Sequence, residues 1–143
     1  VSWPVGIGGK GNSGVAAGIK QLDGAIGYLN YGYVNGGKFQ QVALQNKAGN
    51  FVKANAETSA AGLAQIVLDD KLRGADPNPA GANAYPIVSL TWILAYPESK
   101  TGVKETLRYM LSEKSQGLSD ALGYVPLPES LRQKALAAVD TIK

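Results

Sequence analysis

The amino-acid sequence predicts a protein of mixed class, α/β or α+β, and three observations support this prediction. A glycine-rich loop at residues 6–14 lies between a predicted strand and a predicted helix. Residues 86–96 are rich in β-branched and aromatic side chains, which is typical of a buried strand. The last third of the chain carries apolar residues at helical spacing. The length of 143 residues is enough for one domain of ordinary size.

The first third of the chain predicts two strands on either side of a helix. Residues 1–5 form the first predicted strand, and residues 25–29 form a compact apolar strand after the helix. The helix is predicted over residues 15–22, where apolar side chains recur on one face. Asn12 or Ser13 is the expected N-cap, because both side chains can accept a hydrogen bond from the first helical turn.

The middle of the chain predicts a hairpin followed by a helix. Short strands at residues 41–45 and 50–53 flank an Asn-Lys-Ala-Gly sequence at 46–49, which is typical of a hairpin loop. An alanine-rich helix is expected over residues 56–69, with Asn55 as its N-cap.

A linker and a strand precede the C-terminal helices. Residues 73–85 contain two prolines and several turn-forming residues, which predicts a linker between two structural halves. Residues 86–96 form the predicted buried strand, and Pro97 ends it. A first helix carries an apolar stripe, a second covers residues 116–122, and a third has Pro128 as its first residue. The predicted apolar faces are Val103, Leu107, Met110 and Leu111 in the first helix, and Leu131, Ala135, Ala138 and Ile142 in the third.

The composition argues against several classes of function. The net charge is +3, and the lysines are scattered rather than clustered, so we expect no nucleic-acid binding. The chain contains no cysteine and no histidine, the commonest zinc ligands, and histidine is also the commonest general base. We therefore expect no enzymatic activity, no metal site and no cofactor. The longest apolar run, residues 87–96, is shorter than the roughly 18 residues that span a bilayer.

The glycine-rich loop has three possible interpretations. Residues 6–11 fit the Gly-Xaa-Gly-Xaa-Xaa-Gly pattern of dinucleotide-binding loops, but Asn30 and its neighbours provide no carboxylate for the ribose. Alternatively, the N–H groups of Ser13 and Gly14 could face an anion, assisted by the helix dipole. The third interpretation is a tight crossing of the backbone that binds no ligand.

Other polar residues give weaker indications of chemistry. Ser13 and Lys10 could form a nucleophile–base pair, but no obvious oxyanion hole accompanies them. Asp69 and Asp70 are adjacent and point in different directions, so a solvated helix terminus is favoured over an acid–base pair. The three tyrosines within residues 28–33 could line a ligand groove, although packing with hydroxyls at the rim is the favoured interpretation.

Four segments, in order along the chain, resemble one protein family. Residues 2–17 resemble the Trp-Pro-x-Gly-x-Gly-Gly-Lys-Gly-Asn-x-Gly-[Val/Ile]-Ala-Ala block of the phosphate-specific ABC-transporter substrate-binding proteins of the bacterial periplasm. Residues 23–31 are similar to the family's Pro-Gly-Ala-Ile-Gly-Tyr-x-Glu-Tyr segment. Residues 85–91 resemble its [Trp/Tyr]-Pro-Ile return strand, and residues 124–128 resemble its late Tyr-x-x-Leu-Pro segment.

The resemblance implies a fold in which this chain is the C-terminal portion. The sequence departs from the family pattern at Asp23, where Pro is usual, and at Asn30, where Glu is usual. The implied fold is that of a type 2 periplasmic binding protein, an α/β fold with two lobes hinged around one anion. Residues 1–83 would finish the second lobe, and residues 84–143 would return to the first lobe and complete it.

The resemblance also implies a function and a site. The expected protein captures inorganic phosphate and delivers it to an ABC permease. The family's phosphate ligands are a Thr and a Ser near its start, an Asp, and an Arg followed by a Ser-Gly-Thr loop. All of these lie upstream of the Trp-Pro block, so no phosphate ligand is expected in this chain. Gly9, Lys10, Gly11 and Asn12 would lie in the second lobe and border the cleft.

The expected partners are inorganic phosphate, the ABC permease subunits and the N-terminal part of the same protein. The expected location is the periplasm or cell envelope, after export by a signal peptide encoded upstream of Val1. The alternative is a phosphate-binding-like extracellular or interaction protein that does not transport.

Overall fold

The computed structural model describes residues 2–143 and divides the chain into two compact units, with the division between Gln41 and Val42. Within these residues the first unit contains helices α1 (Gly11–Gln21) and α2 (Tyr31–Gly37). The second unit contains β1 (Leu44–Gln45), β2 (Phe51–Val52), α3 (Ala56–Leu63), α4 (Val103–Met110), α5 (Glu113–Gln116), a 3-10 turn (Asp120–Leu122) and α6 (Glu129–Asp140). Helices and a hairpin together agree with the predicted mixed class.

Helix α1 begins earlier than predicted. Its N-cap is Lys10, which has an extended backbone (φ −76°, ψ 104°) and makes no capping hydrogen bond with its side chain. The prediction of Asn12 or Ser13 as N-cap is therefore wrong. Gly11 has a φ of +63°, which glycine adopts readily, so the chain enters the helix before the expected capping residues are reached.

The two strands predicted in the first unit are absent from the described residues. Val1 lies outside them, and residues 2–5 and 25–29 form no strand. Ile26 and Tyr28 are 87% and 80% exposed. A strand requires a hydrogen-bonded neighbour, and none of the described residues supplies one to either segment, so these predictions are wrong for this structure.

Helix α2 has no counterpart among the predicted elements, because its glycines have low helix propensity. The carbonyl of Asn30 accepts hydrogen bonds from the N–H groups of Tyr33 and Val34, at 2.9 and 3.3 Å. The helix ends at Gly37, and its C-cap Lys38 has a φ of 57° and donates its N–H to the carbonyl of Val34.

The hairpin predicted at residues 41–53 is confirmed, with shorter strands. β1 and β2 pair in antiparallel register, with Leu44 opposite Val52. Its loop is closed by the N–H of Gly49, which donates to the carbonyl of Asn46 at 2.9 Å. Gly49 has a φ of +87°, a conformation that side chains rarely adopt.

The helix predicted at residues 56–69 is confirmed at its start and wrong at its end. Asn55 caps it: its side chain accepts from Thr58 N at 2.8 Å, and Thr58 Oγ1 accepts from Asn55 N at 3.1 Å. The helix ends at Leu63, because a tighter turn follows in which Ile66 N–H donates to the Leu63 carbonyl at 3.1 Å. That turn brings Leu63 and Ile66 into the core, each 4% exposed.

Burial differs from the prediction in opposite ways before and after Tyr85: the predicted linker contains buried residues, and the predicted buried strand contains exposed ones. Residues 73–85 are irregular, as a linker would be, but Pro79 and Ala84 within them are fully buried. Residues 86–96 form no strand, and Leu94 is 96% exposed. The predicted buried strand is wrong here because no strand among the described residues lies beside it.

The first and third C-terminal helices are confirmed with small shifts, and the second is wrong as a single helix. Most side chains of the apolar stripe predicted for α4 are half-buried, although Met110 is 45% exposed. Helix α5 and the 3-10 turn replace the single helix predicted at 116–122. Pro128 stands at the N-cap of α6 rather than at its first residue, and Leu131 and Ile142 on the predicted face are buried.

The core of the second unit joins α3 and α6. Leu63, Ile66 and Leu131 form its centre. These residues come from both sides of the lobe boundary predicted at residues 83 and 84, and that boundary stays a prediction. The half-buried residues that pack around the centre are Leu68, Val88, Leu90 and Val125.

Candidate functional site

The glycine-rich loop closes tightly against the start of α1. A Cβ atom on Gly9 would lie 2.5 Å from Val15 N and 2.7 Å from Gly14 C. Both are backbone atoms, which cannot turn aside as a side chain can, so only glycine fits at position 9. A Cβ on Gly8 or Gly11 would meet nothing within 4 Å, and Gly11 is required instead by its positive φ.

The four residues predicted to border a cleft follow one another at the entry to α1. Gly9, Lys10 and Gly11 are exposed, and Asn12 is half-buried. Asn12 Oδ1 accepts a hydrogen bond from the N–H of Asn30 at 2.9 Å. This bond ties the entry of α1 to the end of the extended segment that follows the helix. The local arrangement is thus defined, while a place beside a ligand cleft stays a prediction for all four residues.

The entry to α1 has general features that favour the binding of an anion. The first N–H groups of a helix have no acceptor within the helix, and the helix dipole places partial positive charge there. The exposed side chain of Lys10 adds a cation. The extended segment after α1 ends at Asn30, whereas a dinucleotide site needs a carboxylate at that point.

Asp69 lies in a turn after α3 and not at a helix end as predicted. Its Oδ1 accepts from the N–H groups of Lys71 and Arg73, at 2.9 and 2.8 Å. Its Oδ2 accepts from Arg73 Nε at 2.9 Å. The side-chain hydrogen bond from Arg73, followed by the backbone bond from the same residue, holds the pKa of Asp69 below its ordinary value. Asp69 therefore stays ionised and organises the turn.

The three tyrosines near α2 do not form a packed group. Tyr28 is 80% exposed and Tyr33 is 45% exposed, whereas Tyr31 is half-buried. The favoured interpretation, packing with the hydroxyls at the rim, is wrong for Tyr28.

Asn46 joins the hairpin to residues 73–85, a role that no sequence pattern indicated. Its side chain is almost fully buried, with the residue 4% exposed. The Nδ2 group donates to three carbonyl groups of that segment, and Oδ1 accepts from two N–H groups of its own hairpin. The distances are 3.3, 2.8 and 3.2 Å to the carbonyl oxygens of Gly81, Ala82 and Ala84, and 3.1 and 3.0 Å from the backbone nitrogens of Ala48 and Asn50.

Arg132 on α6 is a second polar residue whose role was not predicted. It is 8% exposed, and its guanidinium donates to both carboxylate oxygens of Glu129. Nη1 also donates to the carbonyl of Leu111 at 3.2 Å, and Nη2 lies 3.4 Å from Glu113 Oε1. These bonds tie α6 to the turn between α4 and α5. The spacing of Glu129 and Arg132 was visible in the sequence, but the burial was not.

Within residues 2–143 no group of three or more acidic, histidine or cysteine side chains could hold a metal ion. In the same range no helix has the length and apolar character needed to cross a membrane.

Comparison with known proteins gives one consistent result. No protein-family model matches the chain. The phosphate-binding protein PstS of Xylella fastidiosa (strain Temecula1) is 37% identical over 140 residues, which cover 92% of this chain. The phosphate-binding protein PstS of Methanocaldococcus jannaschii is 33% identical over 171 residues and covers 100% of it. A third protein of this name, from Pasteurella multocida, is 33% identical over 144 residues and covers 96%.

The matches cover only part of each relative. The aligned region is 38% of the Xylella protein and 42% of each of the other two, so the chain spans about two fifths of the length of the curated relatives it matches. The resemblance first seen in the glycine-rich block thus extends over nearly the whole chain. The chain is a homologue of a part-length segment of the phosphate-binding proteins PstS.

Proposed function

We propose that the chain is the C-terminal portion of a periplasmic phosphate-binding protein, which captures inorganic phosphate and delivers it to an ABC permease. The observation that carries the proposal is the similarity of 31–37% identity, over 90–100% of this chain, to proteins named for phosphate binding. The order of the four family-like segments along the chain supports the same placement. The alternative of a non-transporting interaction protein has no specific observation in its favour.

In this proposal the chain supplies the frame of the protein, and the phosphate ligands lie upstream. An arginine that holds phosphate must offer its guanidinium to the ligand, usually through two parallel hydrogen bonds. Each arginine of this chain is already paired with a carboxylate. The closest ion-pair distances are 2.7 Å for Arg73–Asp69, 2.7 Å for Arg108–Asp140 and 2.6 Å for Arg132–Glu129.

The exposed apolar segments support a partner in the N-terminal part of the same protein. Residues 86–96 are rich in strand-forming side chains but lie unpaired. An open groove of about 420 Å³ runs beside them, and Ile93, Leu94, Val103 and Leu107 are among its lining residues. Apolar surface of this kind usually marks a place where another segment packs. A neighbouring strand from the N-terminal part would pair with residues 86–96 and cover the groove.

The proposed lobes follow the family pattern. Residues 1–83 finish the second lobe, and residues 84–143 complete the first. Phosphate lies between the lobes, held by backbone N–H groups, hydroxyls, an arginine and an aspartate of the upstream part, and the lobes close around it. Residues 9–12 border this cleft, where the exposed Lys10 contributes attraction for the anion without contacting it. The protein works in the periplasm or cell envelope, after export by an upstream signal peptide.

Calorimetric titration of the full-length protein with phosphate, with sulfate as the control anion, tests the proposal. We expect saturable binding of phosphate and much weaker binding of sulfate. At neutral pH phosphate carries an O–H group that can donate a hydrogen bond to the aspartate, whereas sulfate carries none. Absence of phosphate binding by the full-length protein would refute the proposed function.

A further inference from the structure

Residues 73–85 have the composition of a linker and the packing of a fixed element. Pro79 is fully buried, and Ala84 is 0% exposed. The N–H of Ala84 donates to the carbonyl of Gly81 at 3.0 Å, and the N–H of Tyr85 donates to the carbonyl of Thr58 at 2.9 Å. The end of this segment is therefore bonded both to itself and to α3.

The side chain of Asn46 bonds this segment to the hairpin. An amide group has two N–H donors, and here three carbonyl groups of the segment share them. Asn50 adds a second amide, whose Nδ2 donates to the carbonyl of Ala82 at 2.9 Å. The contacts of Asn46 span 35 to 38 positions of sequence, so they join parts of the chain that are distant in sequence.

The orientation of the Asn46 amide is fixed from both sides. Its oxygen accepts from the N–H groups of Ala48 and Asn50, and its nitrogen faces carbonyl oxygens. A flipped amide would place donor against donor and acceptor against acceptor, and would lose both sets of bonds. Since the residue is 4% exposed, water cannot replace them easily.

We propose that Asn46 is a clamp that fixes residues 79–85 on the hairpin and α3, so that this segment acts as a rigid strut and not as a hinge. This inference rests on the proposed function, because only a two-lobed protein needs a bend between its lobes. The boundary proposed between residues 83 and 84 falls inside the clamped segment. When the lobes close around a ligand, the chain therefore bends outside residues 79–85, and this segment keeps its conformation.

Hydrogen exchange of the full-length protein, with and without phosphate, tests the clamp. Asn46→Asp keeps an oxygen for the N–H groups of Ala48 and Asn50, but turns a negative oxygen toward the carbonyls of the segment. We expect exchange at Ala84 and Tyr85 to rise about tenfold or more in this variant. Asn46→Ala, which removes the donors without adding charge, is the second variant should Asn46→Asp fail to fold.

Gln45→Ala is the matched control. Gln45 is the neighbouring residue, and its Nε2 donates only within the hairpin, to the carbonyl of Gly49 at 3.2 Å. This variant should leave exchange at Ala84 and Tyr85 unchanged. The amides of α6 should exchange at the wild-type rate in every variant, since the effect is local.

Three results would overturn the clamp. One is wild-type exchange at Ala84 and Tyr85 in both Asn46 variants. Another is an equal rise in the exchange rate of the α6 amides, which would show that Asn46 stabilises the whole unit. The third is a change in the exchange rate of Ala84 and Tyr85 when phosphate is added to the wild type, as expected of a hinge. Failure to bind phosphate is a separate result: it would refute the proposed function and the role of the strut in closure.

Discussion

Arg132 Nη2 and Glu129 Oε2 lie 2.6 Å apart on the first turns of α6, in very different surroundings. The side chain of Arg132 is 9% exposed, whereas that of Glu129 is 63% exposed. The carboxylate thus lies at the surface and reaches down to a buried cation. Nη1 donates to the carbonyl of Leu111 and Nη2 also lies near Glu113 Oε1, so the pair links the start of α6 to the turn between α4 and α5.

We expect Arg132→Ala to lower the free energy of unfolding by about 1–3 kcal/mol, because a buried charged donor and its packed stem are lost together. Arg132→Met, which keeps the stem, should cost less. Arg108→Ala is the matched control: its pair with Asp140 has side chains that are 50% and 56% exposed, so a loss of at most about 1 kcal/mol is expected. Urea unfolding followed by circular dichroism measures all three. Equal losses for Arg132→Ala and Arg108→Ala would contradict the assignment of Arg132 as a buried anchor.

The stability of the second unit should fall in acid. Hydrogen bonds from Gln133 and then Arg132 lower the pKa of Glu129 below its ordinary value of 4.5. A carboxyl group whose pKa is lower in the folded state adds stability that is fully present above its unfolded pKa. That stability is lost as the pH falls through the folded pKa, so the decline lies below about pH 4.5.

Unfolding measured at pH 7, 5 and 3 checks this expectation for Glu129. Glu129→Gln removes the titrating group and should flatten the decline between pH 5 and 3. A decline that is equally steep in Glu129→Gln and the wild type would show that Glu129 does not contribute to it.

The capping box of α3 gives a prediction with a matched control. Asn55→Ala removes the bond to Thr58 N and should cost about 1 kcal/mol of stability. Asn30 also stands at an N-cap, of α2, but its side chain makes no capping hydrogen bond. Asn30→Ala should therefore cost clearly less, since the N–H that bonds to Asn12 is kept. Similar losses for the two variants in urea unfolding would argue against the capping box.

Two glycines near α1 should respond to alanine in opposite directions. At Gly9 a Cβ would lie 2.5 Å from backbone nitrogen of Val15, so Gly9→Ala must displace the loop and should cost about 1–3 kcal/mol. At Gly18, within α1, a Cβ would meet nothing within 4 Å, and alanine is the better helix former. Gly18→Ala should stabilise by about 0.5–1 kcal/mol. Thermal unfolding of both variants measures the difference, and a neutral Gly9→Ala would contradict the tight loop.

Elements that depend on local chemistry were predictable from the sequence. The cap of α3 at Asn55, the hairpin loop closed by Gly49 and the helix that follows Pro128 each rest on contacts within a few residues. The strands predicted at 25–29 and 86–96 were not found, because a strand needs a neighbour that the described residues do not supply. Several of their large apolar side chains, among them Ile26, Ile87 and Leu94, remain exposed. This agrees with a chain that spans about two fifths of the length of its relatives.

Long-range polar contacts could not be predicted from patterns. The sequence marks Asn46 as a hairpin residue and residues 73–85 as a linker, and nothing local connects the two. For the candidate site, the run of glycines located the entry to α1, but the N-cap was misplaced because Gly11 turns the chain earlier than Asn12 could. It stays a prediction that Gly9, Lys10, Gly11 and Asn12 border a ligand cleft.

In the proposed function, this chain completes a phosphate-binding protein without supplying the phosphate ligands. The most direct measurement is calorimetric titration with phosphate of three samples: this chain, the upstream part of the protein, and an equimolar mixture of the two. We expect no binding by this chain and restored, saturable binding by the mixture. Micromolar binding of phosphate by this chain alone would contradict the claim.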